Sequence, residues 1–280
     1  MFRCNTHFQV LPKKCAGGWI DRCPAHDDKN PSLSIKETSD GVLLLKCFAG
    51  CSFEQIIEAA GLKGDSINRP RPTLNAYTRA DAAADLDKRV SMAKDIWQAT
   101  VPLSGSLAQS YLNSRGIECW SDDIRFHPSL YYSKIETETP AMVCAIRRDR
   151  QFVGVHRTFL NPTGEKLNKM MLGDCKGGAV YLGGSGEPLT ISEGIENGLA
   201  VRQMISANRG TFAAAMSATN LGNFKLPNEP ATLIIAADDD QTGNAEALKL
   251  GQRAAAAGWR ASTLFPPAPG DWNDYLRQGD

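Results

Sequence analysis

The 280-residue sequence predicts an α/β protein in which a parallel α/β domain follows a small β metal-binding module and a mixed α+β middle region. Two observations predict this class. From Ala179 onward, short apolar runs alternate with stretches of helical periodicity, which is the spacing of a parallel α/β sheet. Near the N-terminus, two Cys/His pairs flank a predicted hairpin. We therefore expect residues 1–62 to form the metal-binding module, 63–79 a linker, 80–178 the middle region and 179–280 the α/β domain.

Carboxylates stand at the ends of two apolar runs in the C-terminal segment. Strands are predicted at residues 179–183, 189–193, 211–216, 232–238 and 260–265, with helices at 195–205 and 244–257. Glu193 and Asp238 each close a strand, and Asp240 follows two residues later. Because the carboxyl ends of parallel strands line the ligand crevice, we expect these three side chains to converge. Asp271 and Asp274 would join them from the last segment.

Converging carboxylates raise one another's pKa unless a cation lies between them. Hard oxygen ligands with room for water and phosphate suit Mg²⁺, or Mn²⁺ in its place. The pattern therefore predicts a magnesium site facing a phosphate. A simpler alternative is that Asp240 or Thr242 caps the helix that starts near Gly243, in a solvated acidic loop.

The N-terminal module carries four residues with the spacing of zinc ligands. Cys23-x2-His26 and Cys47-x3-Cys51 are separated by twenty residues. Structural zinc takes four Cys or His ligands, commonly from two such pairs. Two short strands, 32–35 and 42–45, are predicted between them with a turn at 39–41, which makes a zinc ribbon. Buried free cysteines are the alternative, and Cys4, His7 and Cys15 are left as alternative ligands, a second site or ordinary residues.

The middle region begins after a polar linker that contains Pro70 and Pro72. A helix over 79–100 is predicted from the shared face of Leu86, Val90, Ala93 and Trp97. A short helix over 107–112 should end by Gly116, and two strands are predicted at 142–146 and 152–160.

A local excess of positive charge lies in the second half of the middle region. The chain has no net charge, so nucleic-acid contact must come from a local patch. Residues 141–169 hold six Lys or Arg against two acids. We predict that four of these bases contact phosphates of a template or nucleotide: Arg147, Arg157, Lys166 and Lys169. A solvated hairpin tip is the alternative, and it suits Arg148 and Arg150.

Several classes of protein are disfavoured by composition. No apolar run approaches the ~18 residues that span a bilayer, and the N-terminus has no signal-peptide core. We therefore expect a cytoplasmic protein without membrane contact, whose eight cysteines serve metal binding better than disulfides. No G-x-x-x-x-G-K-[ST] motif is present, so no helicase motor is encoded here.

Three acidic blocks and the zinc-ligand region together resemble known families. The blocks are Glu193-Gly194-x-x-Asn197, Asp238-x-Asp240-x-x-Gly243 and Asp271-Trp272-Asn273-Asp274. In this order they resemble the Toprim domain of bacterial-type primases, topoisomerases and some nucleases. C-P-x-H-x-x-x-x-P-S-L-S followed by C-x-x-G-C resembles the zinc domain of phage and plasmid primases, although cellular primases have two residues between the last cysteines. Y-L-N-S-R-G-I resembles the region between these domains.

The resemblance implies a DNA primase of phage or plasmid type, from a mobile element, that joins ribonucleotides on single-stranded DNA. Asp238 and Asp240 would be metal ligands, and Glu193 would bind metal or move a proton. The ribbon would grip the template, and a replicative helicase would be supplied in trans. Two alternatives stay open: a nuclease built on the Toprim fold, and a non-catalytic DNA-binding replication accessory.

Overall fold

The computed structural model describes residues 13–15, 18–28, 31–37, 43–61, 79–205, 209–267 and 270–278. The chain divides into two compact units, Met1–Thr78 and Arg79–Asp280. Cys4, His7, the turn at 39–41 and nearly all of the expected linker lie outside the described residues. The boundary expected near residue 179 falls inside the second unit and stays a prediction.

The first unit is built on an antiparallel sheet in the order β1-β2-β3-β4. Its elements are β1 (Lys13–Cys15), β2 (Gly18–Asp21), β3 (Leu33–Glu37), β4 (Leu43–Cys47) and α1 (Phe53–Ala59). Alternation in β3 buries Leu33 and Ile35. The predicted hairpin is therefore present as β3 and β4, but two further strands extend it. Leu33 pairs with Cys47, so the second ligand pair begins at the base of the hairpin.

The second unit begins with two helices and an antiparallel sheet in the order β5-β6-β7-β8-β9. These elements are α2 (Arg79–Gln98), β5 (Val101–Pro102), α3 (Leu107–Asn113), β6 (Ile124–Tyr132), β7 (Thr137–Arg148), β8 (Gln151–Leu160) and β9 (Lys166–Gly173). The α2 helix, the short α3 helix and the β7–β8 hairpin match the sequence expectation. The chain reverses between β7 and β8 at Asp149 and Arg150, both with positive φ. Strands β6 and β9 were not expected from the sequence.

The remaining residues form a second sheet with strand order β10-β12-β11-β13-β14. Its elements are β10 (Val180–Ser185), β11 (Leu189–Ser192), α4 (Ile195–Met204), β12 (Gly210–Ala214), α5 (Ala218–Asn223), β13 (Thr232–Ala236), α6 (Gln241–Ala256), β14 (Arg260–Leu264) and α7 (Trp272–Gln278). Four strands are parallel, as predicted, whereas β10 pairs antiparallel with β12 at one edge. The expected α/β fold class is confirmed.

The two faces of the middle sheet pack against different elements. Val143, Val155 and Phe159 share a core with Ala93 of α2. Met142, Cys144 and Ile146, which alternate with that set, share a core with Leu199 of α4. The middle sheet therefore has an α2 face and an α4 face. In the part of the chain described here, no helix is both long and apolar enough to cross a membrane.

Candidate functional site

The four predicted zinc ligands converge in the first unit. The ligand atoms of Cys23, His26, Cys47 and Cys51 all lie within 4.8 Å of one another. His26 Nδ1 lies 3.3 Å from Cys51 Sγ and 3.9 Å from Cys47 Sγ. Three sulfurs and one imidazole nitrogen are a donor set that suits tetrahedral zinc. Among the described residues, this is the one Cys, His, Asp and Glu group gathered this closely.

Polar groups around the cluster orient its ligands. His26 Nε2, the nitrogen turned away from the sulfurs, lies 3.7 Å from Asp28 Oδ1. Asp28 Oδ2 accepts from the Cys23 backbone N–H at 2.7 Å and from the Ser32 hydroxyl at 2.6 Å. The separation of His26 Nε2 from Asp28 Oδ1 is too long for a hydrogen bond, but a carboxylate near the far nitrogen of a ligand histidine favours one orientation and tautomer of the ring. Asp28 is thus a supporting residue that the Cys/His spacing did not reveal.

The three thiols of the cluster differ in how readily they ionise. Burial raises the pKa of Cys23 to about 11 and also raises that of Cys51, whereas the pKa of Cys47 is lowered. Burial alone would raise the pKa of Cys47, but hydrogen bonds from the backbone N–H groups of Cys51 and Ala49, together with a contact to Ser32, bring the net value down to about 6. Zinc is bound by thiolate rather than thiol. The donor chemistry and the geometry therefore both fit zinc at this cluster.

The second unit brings the predicted acidic residues to the carboxyl edge of its parallel strands. Glu193 follows β11 and Asp238 lies two residues beyond β13, two neighbouring parallel strands. Both side chains are half-buried, as is Asp271, whereas Asp240 and Asp274 are exposed. Burial together with the charges of Glu193 and Asp271 raises the pKa of Asp238 to about 6. Burial also raises the pKa of Glu193, and the charge of Asp240 adds to that rise.

Two of these carboxylates also cap helices. Asp240 Oδ1 accepts from the Gly243 backbone N–H at 2.7 Å, which makes Asp240 the N-cap of α6. Asp271 Oδ1 accepts from the Asp274 backbone N–H at 2.8 Å. Asp240 therefore does cap α6, as the alternative predicted. The cap uses only Oδ1, so Oδ2 is left for another partner. The charges of Glu193 and Asp271 both raise the pKa of Asp238, and a divalent cation between such carboxylates would relieve their repulsion. Among the described residues, these carboxylates are not gathered as closely as the four Cys and His ligands.

The structure divides the predicted basic residues between the two faces of the middle sheet. Lys169 pairs with Thr158 and Arg157 with Met170, so the two basic side chains point to opposite faces. Lys169 lies on the α4 face, where its charge lowers the pKa of Glu193. Lys166, opposite Leu160 on the same face, has its Nζ 4.0 Å from Glu196 Oε1. The two lysines therefore accompany the acidic edge.

The two arginines have other surroundings. Arg157 lies on the α2 face, with its guanidinium 5.7 Å from the centre of the Phe159 ring and a hydrogen bond to the Met171 carbonyl. Arg147 forms a two-pronged ion pair with Asp123, with contacts of 2.7 to 3.0 Å. The four predicted bases therefore do not form one continuous surface. Strand alternation sends them to different faces of the sheet, and Arg147 is paired with an acid of the protein itself.

A polar group that the sequence did not single out lies behind the acidic edge. Glu196, 18% exposed at its side chain, accepts from the Tyr111 hydroxyl at 2.5 Å. Burial raises its pKa, but the Tyr111 hydrogen bond and the charge of Lys166 produce a net lowering. His156 is buried nearby, and burial lowers its pKa to about 4. Glu196 is therefore held ionised beside a neutral histidine.

Two asparagines connect the acidic blocks. Asn197 donates from Nδ2 to Asp238 Oδ1 at 2.6 Å and accepts at Oδ1 from the Asn273 backbone N–H at 3.2 Å. Both side chains are buried. Their presence in two of the acidic blocks was the available signal, but their role depends on contacts between segments far apart in sequence.

Replacing Asp28 by Asn should weaken zinc binding by about 10- to 100-fold, because the neutral amide supports His26 less well. The measurement is competition against a chromophoric chelator. Asp27→Asn, an exposed neighbour with the same charge change, should bind zinc like the wild type. Equal affinity for the Asp28 and Asp27 variants would contradict the supporting role.

Asp238→Asn should stabilise the metal-free protein at neutral pH. The folded state holds the Asp238 proton up to about pH 6, so stability from this group is complete below the unfolded pKa of about 3.9. It is lost as pH rises through about 6. After allowance for screening by solvent, we expect the free energy of unfolding of Asp238→Asn to exceed that of the wild type by ~1 kcal/mol at neutral pH. This difference corresponds to a melting temperature higher by about 2–4 °C.

The measurement is thermal unfolding with a chelator at pH 7.5 and pH 4. The Asp238→Asn advantage should vanish at pH 4, and the exposed Asp122→Asn should show no such pattern. An Asp238→Asn variant that is less stable than the wild type at pH 7.5 would mean that the carboxylate is not electrostatically strained.

Comparison with known proteins matches two segments of the second unit. Residues 87–182 match a family described as a domain of unknown function, DUF7146. Residues 188–280 match the Toprim domain. No curated protein matches the chain.

The chain is also similar to solved primase structures. The primase fragment of the bacteriophage T7 primase-helicase protein has 14% identity and a TM-score of 0.41, over 61% of this chain and 66% of that fragment. A DNA primase domain from Pseudomonas aeruginosa has 15% identity and a TM-score of 0.39, over 70% and 74%. The Aquifex aeolicus primase, with its zinc-binding and RNA polymerase domains, has 14% identity and a TM-score of 0.35, over 96% and 78%.

Likenesses this weak assign no activity to the chain, and the T7 alignment spans just under two thirds of that fragment. The Toprim match and the four-ligand cluster stand independently of them. The chain therefore carries a Toprim domain over residues 188–280, which follows a Cys3His cluster in the sequence.

Proposed function

We propose that this protein is a DNA primase that joins ribonucleotides on a single-stranded DNA template by metal-dependent nucleotidyl transfer. The observation that carries the proposal is the position of Glu193 and Asp238 just beyond the carboxyl ends of the neighbouring parallel strands β11 and β13. Asp271 and Lys169 are near enough to act on their charges: Asp271 raises the pKa of Asp238, and Lys169 lowers that of Glu193. Acidic residues that hold a divalent cation beside a base that can hold a phosphate are what phosphoryl chemistry requires.

The acidic residues would bind the catalytic Mg²⁺ or Mn²⁺. Asp238 and Asp240 are the principal candidates, with Asp271 close to Asp238 and Asp274 at the exposed start of α7. When bound, the metal would lower the pKa of the attacking 3′-hydroxyl and neutralise charge on the leaving pyrophosphate. Glu193 is half-buried with a raised pKa, so it suits a role as proton acceptor as well as that of ligand.

Lys169 and Lys166 would bind phosphates of the incoming nucleotide or of the template. Both are exposed on the α4 face of the middle sheet, next to the acidic edge. Arg147 is engaged with Asp123, and Arg157 lies on the opposite face of the sheet, so a phosphate contact of either arginine stays a separate prediction. The ribbon would contact the template, and a replicative helicase would act as a separate partner.

A primer-synthesis assay separates this function from its alternatives. The wild-type protein with single-stranded DNA, four ribonucleotides and Mg²⁺ should yield short RNA. Cleavage of the template without synthesis would favour a Toprim nuclease, and binding with neither reaction would favour a replication accessory. Only synthesis that depends on the template supports the proposal.

Asp240→Asn should lower primer synthesis by orders of magnitude without unfolding the protein. Asparagine caps helices about as well as aspartate, so α6 keeps its N-cap while the charge is lost. The measurement is ribonucleotide incorporation against Mg²⁺ concentration, with the exposed Asp239→Asn as the matched control. Full activity of Asp240→Asn would mean that Asp240 only caps the helix.

Lys169→Ala should weaken the salt dependence of single-strand DNA binding. The slope of log K against log salt concentration should become shallower by about 0.7 for each phosphate contact that is lost. If the contact is to the nucleotide instead, the Michaelis constant for ribonucleotides should rise. Lys134→Ala, with the same charge change at an exposed turn between β6 and β7, should alter neither quantity. If Lys169→Ala and Lys134→Ala behave alike in both measurements, Lys169 does not bind phosphate.

A further inference from the structure

The last helix, α7, depends on tertiary contacts for its position. It has seven residues, Trp272–Gln278, and it follows Gly270, which has a φ of +117°. A helix this short is not stable alone in water. The position of Asp271, which stands directly before α7, is therefore decided by whatever holds the helix against α4 and the residues that follow β13.

Asn273 is the main polar anchor of α7. It is 1% exposed. Its backbone N–H donates to Asn197 Oδ1 at 3.2 Å, and its Nδ2 donates to the Arg115 carbonyl at 2.8 Å. Its Oδ1 accepts from an Arg115 guanidinium nitrogen at 3.2 Å. Next to it, Trp272 Nε1 donates to the carbonyl of Ala237, the residue before Asp238.

Asn197 joins this anchor to the acidic edge. Its two ends face chemically different partners: Nδ2 donates to the Asp238 carboxylate, and Oδ1 accepts from a backbone N–H. A carboxylate can only accept and an N–H can only donate, so the orientation of the amide is determined. One buried side chain therefore sets both the Asp238 carboxylate and the start of α7.

Arg115 is itself held in place by its own helix neighbourhood. Its guanidinium lies 5.3 Å from the centre of the Tyr111 ring, and the Tyr111 hydroxyl donates to Glu196, the residue before Asn197. The Y-L-N-S-R-G-I segment thus contacts two acidic blocks through Tyr111 and Arg115. These contacts give the segment a structural role, although none of its residues takes part in the proposed reaction.

We propose that the buried Asn197 and Asn273, together with the half-buried Arg115, form a clasp that docks α7 and thereby positions Asp271 beside Asp238. They are positioning residues, because none of them needs to touch metal or substrate. The metal-binding consequence rests on the proposed function. Trp272, the residue after Asp271, donates to the carbonyl of Ala237, the residue before Asp238, which agrees with this placement.

The test combines Mn²⁺ titration with hydrogen exchange on the full chain. Asn273→Ala should weaken Mn²⁺ binding about 10-fold or more, as expected for a residue supporting a metal ligand. It should also speed amide exchange over residues 271–278, while exchange in β11 and β13 stays slow. Gln278→Ala, an exposed change on the same helix, should leave both unchanged.

A double-mutant cycle separates positioning from general destabilisation. If the clasp acts through Asp271, then Asn273→Ala combined with Asp271→Asn should bind Mn²⁺ no more weakly than Asp271→Asn alone. Additive losses, or faster exchange of α7 with unchanged Mn²⁺ affinity, would overturn the proposal.

Arg115→Ala is a milder variant for the case in which Asn273→Ala does not fold. It removes the guanidinium donor but keeps the Arg115 carbonyl that Asn273 uses. The same two outcomes decide the proposal with this variant. A wild-type protein that binds Mn²⁺ in this way but makes no primers would overturn the proposed function alone, whereas one that binds no Mn²⁺ at Asp238 overturns the role of the clasp.

Discussion

Repulsion among half-buried carboxylates is the constraint around which the second unit is organised. Burial of the parallel strands brings Glu193 and Asp238 to one edge, where removal from water already disfavours their charge. The protein offsets this repulsion only in part, with an amide donor from Asn197 and the nearby charge of Lys169. Such an arrangement costs stability without a cation, and this cost is the reason for proposing a metal ion at this edge.

The middle sheet serves two cores at once because its strands alternate. The α2 face completes one apolar cluster, and the α4 face joins the Toprim helices in another. This second face also carries Lys166 and Lys169 to the acidic edge. The packing that buries Met142 and Cys144 against the Toprim helices therefore also places Lys166 and Lys169 near the carboxylates.

The zinc ribbon of the first unit has little apolar core to stabilise it. Its described apolar core is small, with Cys23, Leu33, Ile35, Cys47 and Ile56 as its buried members. Two of these five are metal ligands, so the hydrophobic cluster and the donor cluster overlap. Small domains with so little core commonly need a metal for stability. Zinc at this site would contribute directly to folding of the first unit.

Local patterns in the sequence determined the class of fold, the Cys3His cluster and the carboxylates at the ends of apolar strands. These features depend on residue spacing and on the period of hydrophobicity, which neighbouring residues along the chain specify by themselves. The four ligands Cys23, His26, Cys47 and Cys51 were found in this way, and so was the Toprim domain. Strand β9 has no clear period, and the alternation that opens β6 is interrupted at Pro128, where its register shifts, so both strands were missed.

Only the tertiary structure decided which side chains accompany those carboxylates. Arg157 and Lys169 look alike as bases in one strip, but an odd or even position in paired strands sends them to opposite faces. Arg147 is matched by Asp123, a residue 24 positions away. The Asn197, Asn273 and Arg115 contacts join segments separated by up to 158 residues. Spacing along a chain cannot specify such pairs, because they depend on how elements pack in three dimensions.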